Sequence, residues 1–126
     1  MQINIPDPIY SEEAEQAVIG AVLVNHKAFL SLNTILDSDS FFFLKHQHIW
    51  RAIADTYEAH GTIDYMLVNN ALKNIGVLDD IGGPAYLTQV INATPTSMHA
   101  VPYAYVVRGA KIRRDMIQAL AGLSLG

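Results

Sequence analysis

His46 and His48 are the first residues to weigh for chemistry, because two imidazoles close in sequence can begin a metal site. On a helix, however, positions i and i+2 point about 200° apart. No nearby carboxylate joins them. A structural role fits better, with His46 near the edge of a core and His48 near the surface. His26, His60 and His99 stand alone, and with no cysteine in the chain no zinc set can be completed. Asp37 with Asp39, and Asp79 with Asp80, are the candidate carboxylate pairs. Both lie close to glycine or serine, where the same side chains make turns and helix caps. No Ser/His/Asp constellation can be ordered from the sequence. Phosphate chemistry fails a sharper test. A nucleotide-binding loop needs G-x-x-x-x-G-K-[ST], whose backbone amides cradle phosphates while its lysine neutralises them. None of Lys27, Lys45, Lys73 or Lys111 follows a glycine or precedes a serine or threonine. The expectation is a domain with no catalytic residues, no metal ligands and no cofactor of its own.

The elements that position these residues read as helices. Residues 1–10, with Pro6 and Pro8, read as an extended arm. Ser11 is a candidate N-cap, followed by Glu12 and Glu13 where the helix dipole favours negative charge. Ala14, Ala17, Val18, Ala21 and Val22 then make one apolar helical face, ending near Asn25. A short helix is expected over Lys27 to Leu36, with Phe29, Leu32, Ile35 and Leu36 inward. After the capping sequence 37–40, a helix is expected from the aromatic run Phe41-Phe42-Phe43 to about His60, with Ile49, Ala52, Ile53 and Tyr57 on one face. Gly61 stands where a left-handed cap belongs. Asp64 caps a fourth helix through Ile75, with Leu67, Val68, Ala71, Leu72 and Ile75 as its stripe. Val77-Leu78 reads as extended. Pro84 opens a fifth helix to about Asn92. A long last helix runs from about Met98 to Leu120, with Pro102 early in it and Gly109 weakening its middle by about 1 kcal/mol relative to alanine. Strand-like alternation is nearly absent, so the fold class is all-α, with a head over 11–97 and the last helix in 98–126.

Composition narrows the function classes. At 126 residues the chain is one domain by length, and its 51% hydrophobic content fits a globular protein. No apolar run approaches the roughly 18 residues of a membrane span, and the N-terminus lacks the pattern of a signal peptide. With the absence of cysteine, these features favour the cytoplasm. The net charge is −4, and the eight Lys and Arg are scattered apart from Arg108, Lys111, Arg113 and Arg114. Direct, tight DNA binding by this domain alone is therefore disfavoured. Arg113 and Arg114 could touch DNA or a neighbouring subunit, although a solvated helical face is the commoner use. Residues 121–126 end without a polar cap, which reads as a cut within a longer protein; a natural end that frays is the alternative.

Several short motifs occur in order. They are Glu13-Ala14-Glu15-Gln16-Ala17-Val18-Ile19-Gly20; Phe41-Phe42 followed by His46, Ile49, Trp50 and Ala52; and Gly61-Thr62-Ile63-Asp64. Next come Gly76-Val77-Leu78 with Gly82-Gly83-Pro84-Ala85-Tyr86-Leu87, then Thr94-Pro95-Thr96, and Tyr103-Ala104 ahead of Arg113-Arg114 and Ile117. Each is weak alone. In register they resemble the N-terminal domain of DnaB-type replicative DNA helicases over about four fifths of the chain. Leu67, His99 and Gly109 depart from the family's pattern. The resemblance implies a compact six-helix head followed by the start of a helical hairpin, then a linker and a RecA-type motor domain outside this chain. It implies heads that pair into dimers within a hexamer, that recruit primase and in some systems a loader, and that touch DNA weakly or indirectly. ATP and Mg²⁺ would belong to the motor of a 5′ to 3′ helicase.

Two sets of residues follow as candidate sites. Glu13 and Tyr86 match motif positions near helix N-termini and are candidates for a primase-facing surface. The plain alternative is that Glu13 complements a helix dipole and Tyr86 packs its ring with a solvated hydroxyl. Val106, Ala110, Ile112, Met116 and Leu120 on the last helix have no obvious cover in so short a chain, which points to self-association. A competing reading is a free-standing adaptor that uses the same head fold to cap or redirect a helicase. A small all-α enzyme is the third reading, and it lacks any convergent polar site.

Overall fold

Ser11 begins the folded body. Its side-chain oxygen accepts a hydrogen bond from Ala14 N at 3.1 Å and starts α1, Glu12–Val24. A computed structural model describes residues 8–94 and 100–125, with side chains through 122. It contains α2 (Ala28–Leu32), α3 (Leu44–His60), α4 (Tyr65–Asn74), α5 (Gly83–Ala93) and α6 (Ala100–Leu125), with a 3₁₀ turn at Ser38–Ser40. There is no strand among the described residues. The all-α, six-helix expectation is met.

α1 is the central element. Ala14, Glu15, Val18, Ile19, Gly20, Ala21, Val22 and Leu23 are all buried. Such all-round burial fits a helix enclosed by others rather than a surface helix with one apolar stripe. α5 and α6 pack along it, α2 and α3 close its other sides, and α4 lies outside against α3. Trp50 of α3 anchors an aromatic cluster, with ring centroids 5.5 Å from Phe29 and 5.2 Å from Phe41. Ring pairs of this kind add to the burial energy.

Local chemistry explains where the elements differ from expectation. The second helix stops at Leu32 rather than Leu36. Thr34 donates its hydroxyl to Ser31 O at 2.7 Å, and the following amides tighten into three-residue bonds. The third helix begins at Leu44, so Phe41-Phe42-Phe43 are not helical. Asp37 and Ser40 form a reciprocal capping box that closes the 3₁₀ turn, and Phe41 and Phe43 then run extended. Gly61 does supply the left-handed cap, at φ 69°. Asp64 caps α4 as expected, but Ile75 lies just past the helix end and is exposed. Val77-Leu78 form turns rather than an extended stretch, closed by Val77 N to Leu72 O and Gly83 N to Leu78 O. α6 is described from Ala100 and runs past Leu120. Pro102 falls in its first turn, where an amide has no intrahelical acceptor to lose. The expected start at Met98, the break at Thr94-Pro95-Thr96-Ser97 beyond Thr94, and the arm before Pro8 lie outside the described residues.

Asp64 offers a direct check of this local logic. Its carboxyl oxygen accepts from Leu67 N at 2.8 Å. Asp64→Ala is expected to lower the unfolding free energy by about 1 kcal/mol. In urea this appears as an earlier midpoint with an unchanged slope. An unchanged midpoint would show that the cap contributes nothing.

Candidate functional site

Glu15 sits in the buried stripe of α1, one turn before Val18 and Ile19, and is 1% exposed. An acidic side chain placed there needs partners. Its Oε2 accepts from Phe42 N at 2.8 Å, and its Oε1 from the longer-range Phe43 N at 3.4 Å. Oε1 also lies 2.7 Å from His46 Nδ1. These bonds explain why the aromatic run stays out of the helix. Its amides are held by a carboxylate from α1 instead of entering a helical ladder.

His46 is fully buried, which corrects the expected position at the core edge; His48 is half-buried. Oε1 also accepts from Phe43 N, so the tautomer that fits this geometry has Nδ1–H of His46 donating to the carboxylate. In the neutral ring Nε2 then accepts from the Tyr86 hydroxyl, 2.6 Å away. Gln16 Nε2 donates to the same hydroxyl oxygen at 3.2 Å. Lys45 places its ammonium 4.4 Å from the Tyr86 ring centroid and 3.6 Å from Glu12. One hydrogen-bonded chain therefore joins α1, α3 and α5 through Gln16, Tyr86, His46 and Glu15, and ends on the backbone of 42–43.

The two partner-surface candidates separate here. Tyr86 is only 9% exposed, and its hydroxyl is bound by His46 and Gln16 rather than solvated. Glu13 is exposed. It lines a small depression with Gln16, Ala17, Val90, Thr94 and Tyr103, between α1, α5 and α6. Gln16 touches both, since it borders the depression and bonds Tyr86. Tyr86→Phe keeps the ring but leaves Nε2 of His46 and the Gln16 amide one partner short. It is expected to cost about 1–2 kcal/mol of stability by chemical denaturation, without loss of the helical signal. No change would mean that water replaces the hydroxyl.

On α6, Val106, Ile112, Met116 and Leu120 are between 45% and 62% exposed. Ala110 departs from the expected uncovered stripe. It is buried, on the same side as Ala100, Ala104 and Val107, which continue the core. Arg113 and Arg114 do not form a plain solvated face either. Arg114 donates to Ile9 O and Ser40 O, and Arg113 donates to Pro8 O. The Asp37 and Asp64 carboxyls serve as caps. No group of three or more His, Asp or Glu able to hold a metal occurs among the described residues, and none of their helices is long and apolar enough to cross a membrane.

Sequence reasoning missed the buried Glu15 and its half-buried neighbours Gln16 and Lys45 as members of this cluster. A signal was present: Glu15 interrupts the i, i+3, i+4 apolar stripe that runs on through Val18, Ile19 and Val22.

Known proteins resemble this chain in sequence and fold. The family described as DnaB-like helicase N terminal domain matches residues 7–109. The chain is 32% identical over 116 residues to the replicative DNA helicase DnaB of Haemophilus influenzae, covering 92% of this chain and 24% of that protein. It is 32% identical over 111 residues to the replicative DNA helicase DnaC of Bacillus subtilis, covering 88% and 24%. The chain thus spans about a quarter of the length of the curated relatives it matches. The crystal structure of the N-terminal domain of DnaB helicase from Mycobacterium tuberculosis superposes with a TM-score of 0.90 at 30% identity, covering 94% of this chain and 84% of that one. With the motifs in register and the fold superposed, the chain belongs to the DnaB-like helicase N terminal domain family.

Proposed function

We propose that this chain is the assembly and partner-binding head of a replicative DNA helicase. It pairs with a second head within a hexamer and recruits primase, and in some settings a loader. The ATP- and Mg²⁺-dependent motor that moves 5′ to 3′ on DNA lies outside this chain, and DNA contact by the head is weak or indirect. The whole enzyme works in the cytoplasm.

The observation that carries the reading is the exposed apolar stripe of α6, Val106, Ile112, Met116 and Leu120, on a domain of this family. Four large apolar side chains on one long helix form a patch that water does not favour, and a second copy of the same helix would cover it. Glu13 is the exposed candidate for primase. Tyr86 contributes by fixing Gln16 and α5 beside it.

Sedimentation across concentration, with and without the C-terminal domain of the cognate primase, tests both parts. The expected result is a dimer that takes up primase. Glu13→Ala should weaken that uptake while leaving the dimer intact. A folded monomer at high micromolar concentration that leaves primase unbound would overturn the reading and favour the adaptor alternative. Tyr86→Ala is a poor probe, because it also strips His46 of its partner; Tyr86→Phe isolates the hydroxyl.

A further inference from the structure

α6 is held to the head by two different kinds of contact. Its first half packs through small or medium side chains, Ala100, Ala104, Val107 and Ala110, all buried. From residue 111 onward none of its described residues is buried. At that changeover Arg113 and Arg114 reach back to segments that lie before α1 and before α3. Arg114 donates one guanidinium nitrogen to Ile9 O at 2.6 Å and the other to Ser40 O at 3.1 Å. Its guanidinium carbon also lies 5.3 Å from the Phe42 ring centroid. Arg113 donates Nε to Pro8 O at 2.9 Å.

We propose that residues 8–10 form a strap that sets the angle at which α6 leaves the head, with Arg114 as its fastening. The inference rests on this chain's own contacts and does not require the partner-binding reading.

Four features support it. The planar fork of arginine can hold two carbonyls at once, one from the arm and one from the 3₁₀ turn, which a lysine ammonium does with less geometric restraint. Tyr10 fixes the arm on the head side, stacking on Phe42 at 4.6 Å and meeting Phe43 edge-on at 5.6 Å. Phe42 is itself anchored, because Glu15 accepts its amide. Gly109 leaves room for the fold-back of Arg113: a Cβ there would lie 3.3 Å from an Arg113 guanidinium nitrogen. The strap is reversible because Ile9, Tyr10 and Phe42 remain about two-fifths exposed or more. Water can replace those bonds at little cost, unlike the bonds around His46. Releasing the strap leaves the Ala-lined half of α6 as a pivot, a hinge motion of a rigid helix on a packed base.

Paired spin labels can read this angle, because the chain has no cysteine of its own. Gln89→Cys on α5 and Gln118→Cys on α6 accept the labels at exposed positions. Dilution with excess unlabelled chain keeps the measured distances intramolecular. The expected result is a narrow distance distribution in the otherwise unaltered chain. Arg114→Ala should give a broadened distribution with a displaced maximum, at unchanged helical content. Tyr10→Ser should shift the distribution in the same way without touching α6, and it carries the test if Arg114→Ala fails to fold. Distributions that stay unchanged in the folded variants overturn the proposal. So does broadening that tracks a loss of helical signal, because Arg114 would then hold the helix together rather than set its angle.

Discussion

Glu15→Ala is expected to destabilise the domain by about 3 kcal/mol, a large share of what holds a domain of this size together. The loss comes from what is left behind rather than from the side chain removed. Phe42 N loses its 2.8 Å acceptor, and His46 Nδ1 loses its 2.7 Å one, in a place His46 cannot leave for water. An unpaired buried donor costs about 1–3 kcal/mol. The non-helical 41–43 segment also loses its tether, so Phe41 loosens against Trp50. Urea titration measures the cost. A change below about 1 kcal/mol would mean that water enters and replaces the carboxylate.

Glu15→Gln separates charge from shape. The amide oxygen can still accept from Phe42 N, but the amide nitrogen then faces the amide of Phe43 or the nitrogen of His46. If His46 changes tautomer to accept it, Nε2 becomes a donor toward Tyr86. The Tyr86 oxygen would then receive hydrogens from both His46 and Gln16, and its own hydrogen would need a new acceptor. One substitution on α1 thus reverses a hydrogen bond to α5. The expected cost is about half that of alanine. A double-mutant cycle of Glu15→Gln with Tyr86→Phe should be non-additive, because the two changes strain the same chain of bonds.

This cluster also shows what the sequence made legible. Helix number, the caps at Ser11, Asp64 and Gly61, and the family itself follow from local chemistry and motif order, which depend on residues close in the chain. The non-helical run at 41–43 does not. Three consecutive phenylalanines before a helical stripe read as its first turn, and what prevents this is a carboxylate 27 residues earlier. The Tyr86 hydroxyl illustrates the same limit. Its partner lies 40 residues away on another helix, and no periodicity announces it. Glu15 was the accessible clue, a charge inside an apolar stripe, which implies a buried partner without saying which one. Arg114 of α6 shows the same limit, since its acceptors are backbone carbonyls 105 and 74 residues away. A carbonyl leaves no mark in sequence, because every residue has one.

Gly20→Val is the second large effect, expected at about 3 kcal/mol, with Gly20→Ala at about half of that. Propensity alone predicts the opposite for alanine, because glycine inside a helix costs about 1 kcal/mol relative to it. Packing decides the sign. α5 crosses so close to Gly20 that a Cβ there would overlap Thr94 Oγ1 and lie 2.9 Å from Thr94 Cβ and 3.0 Å from Val90 O. The Thr94 hydroxyl can rotate away only by giving up its 2.8 Å bond to Val90 O. The carbonyl cannot rotate at all, since it belongs to the backbone of α5. The helices must therefore separate, and α1 against α5 is one of the main contacts of the head. Adding Thr94→Ala to Gly20→Ala should recover part of the loss but not all, because the Cβ at position 94 and Val90 O both remain. If Gly20→Ala raised the unfolding midpoint, α5 would have moved aside cheaply, and close approach would not be why glycine occupies this position.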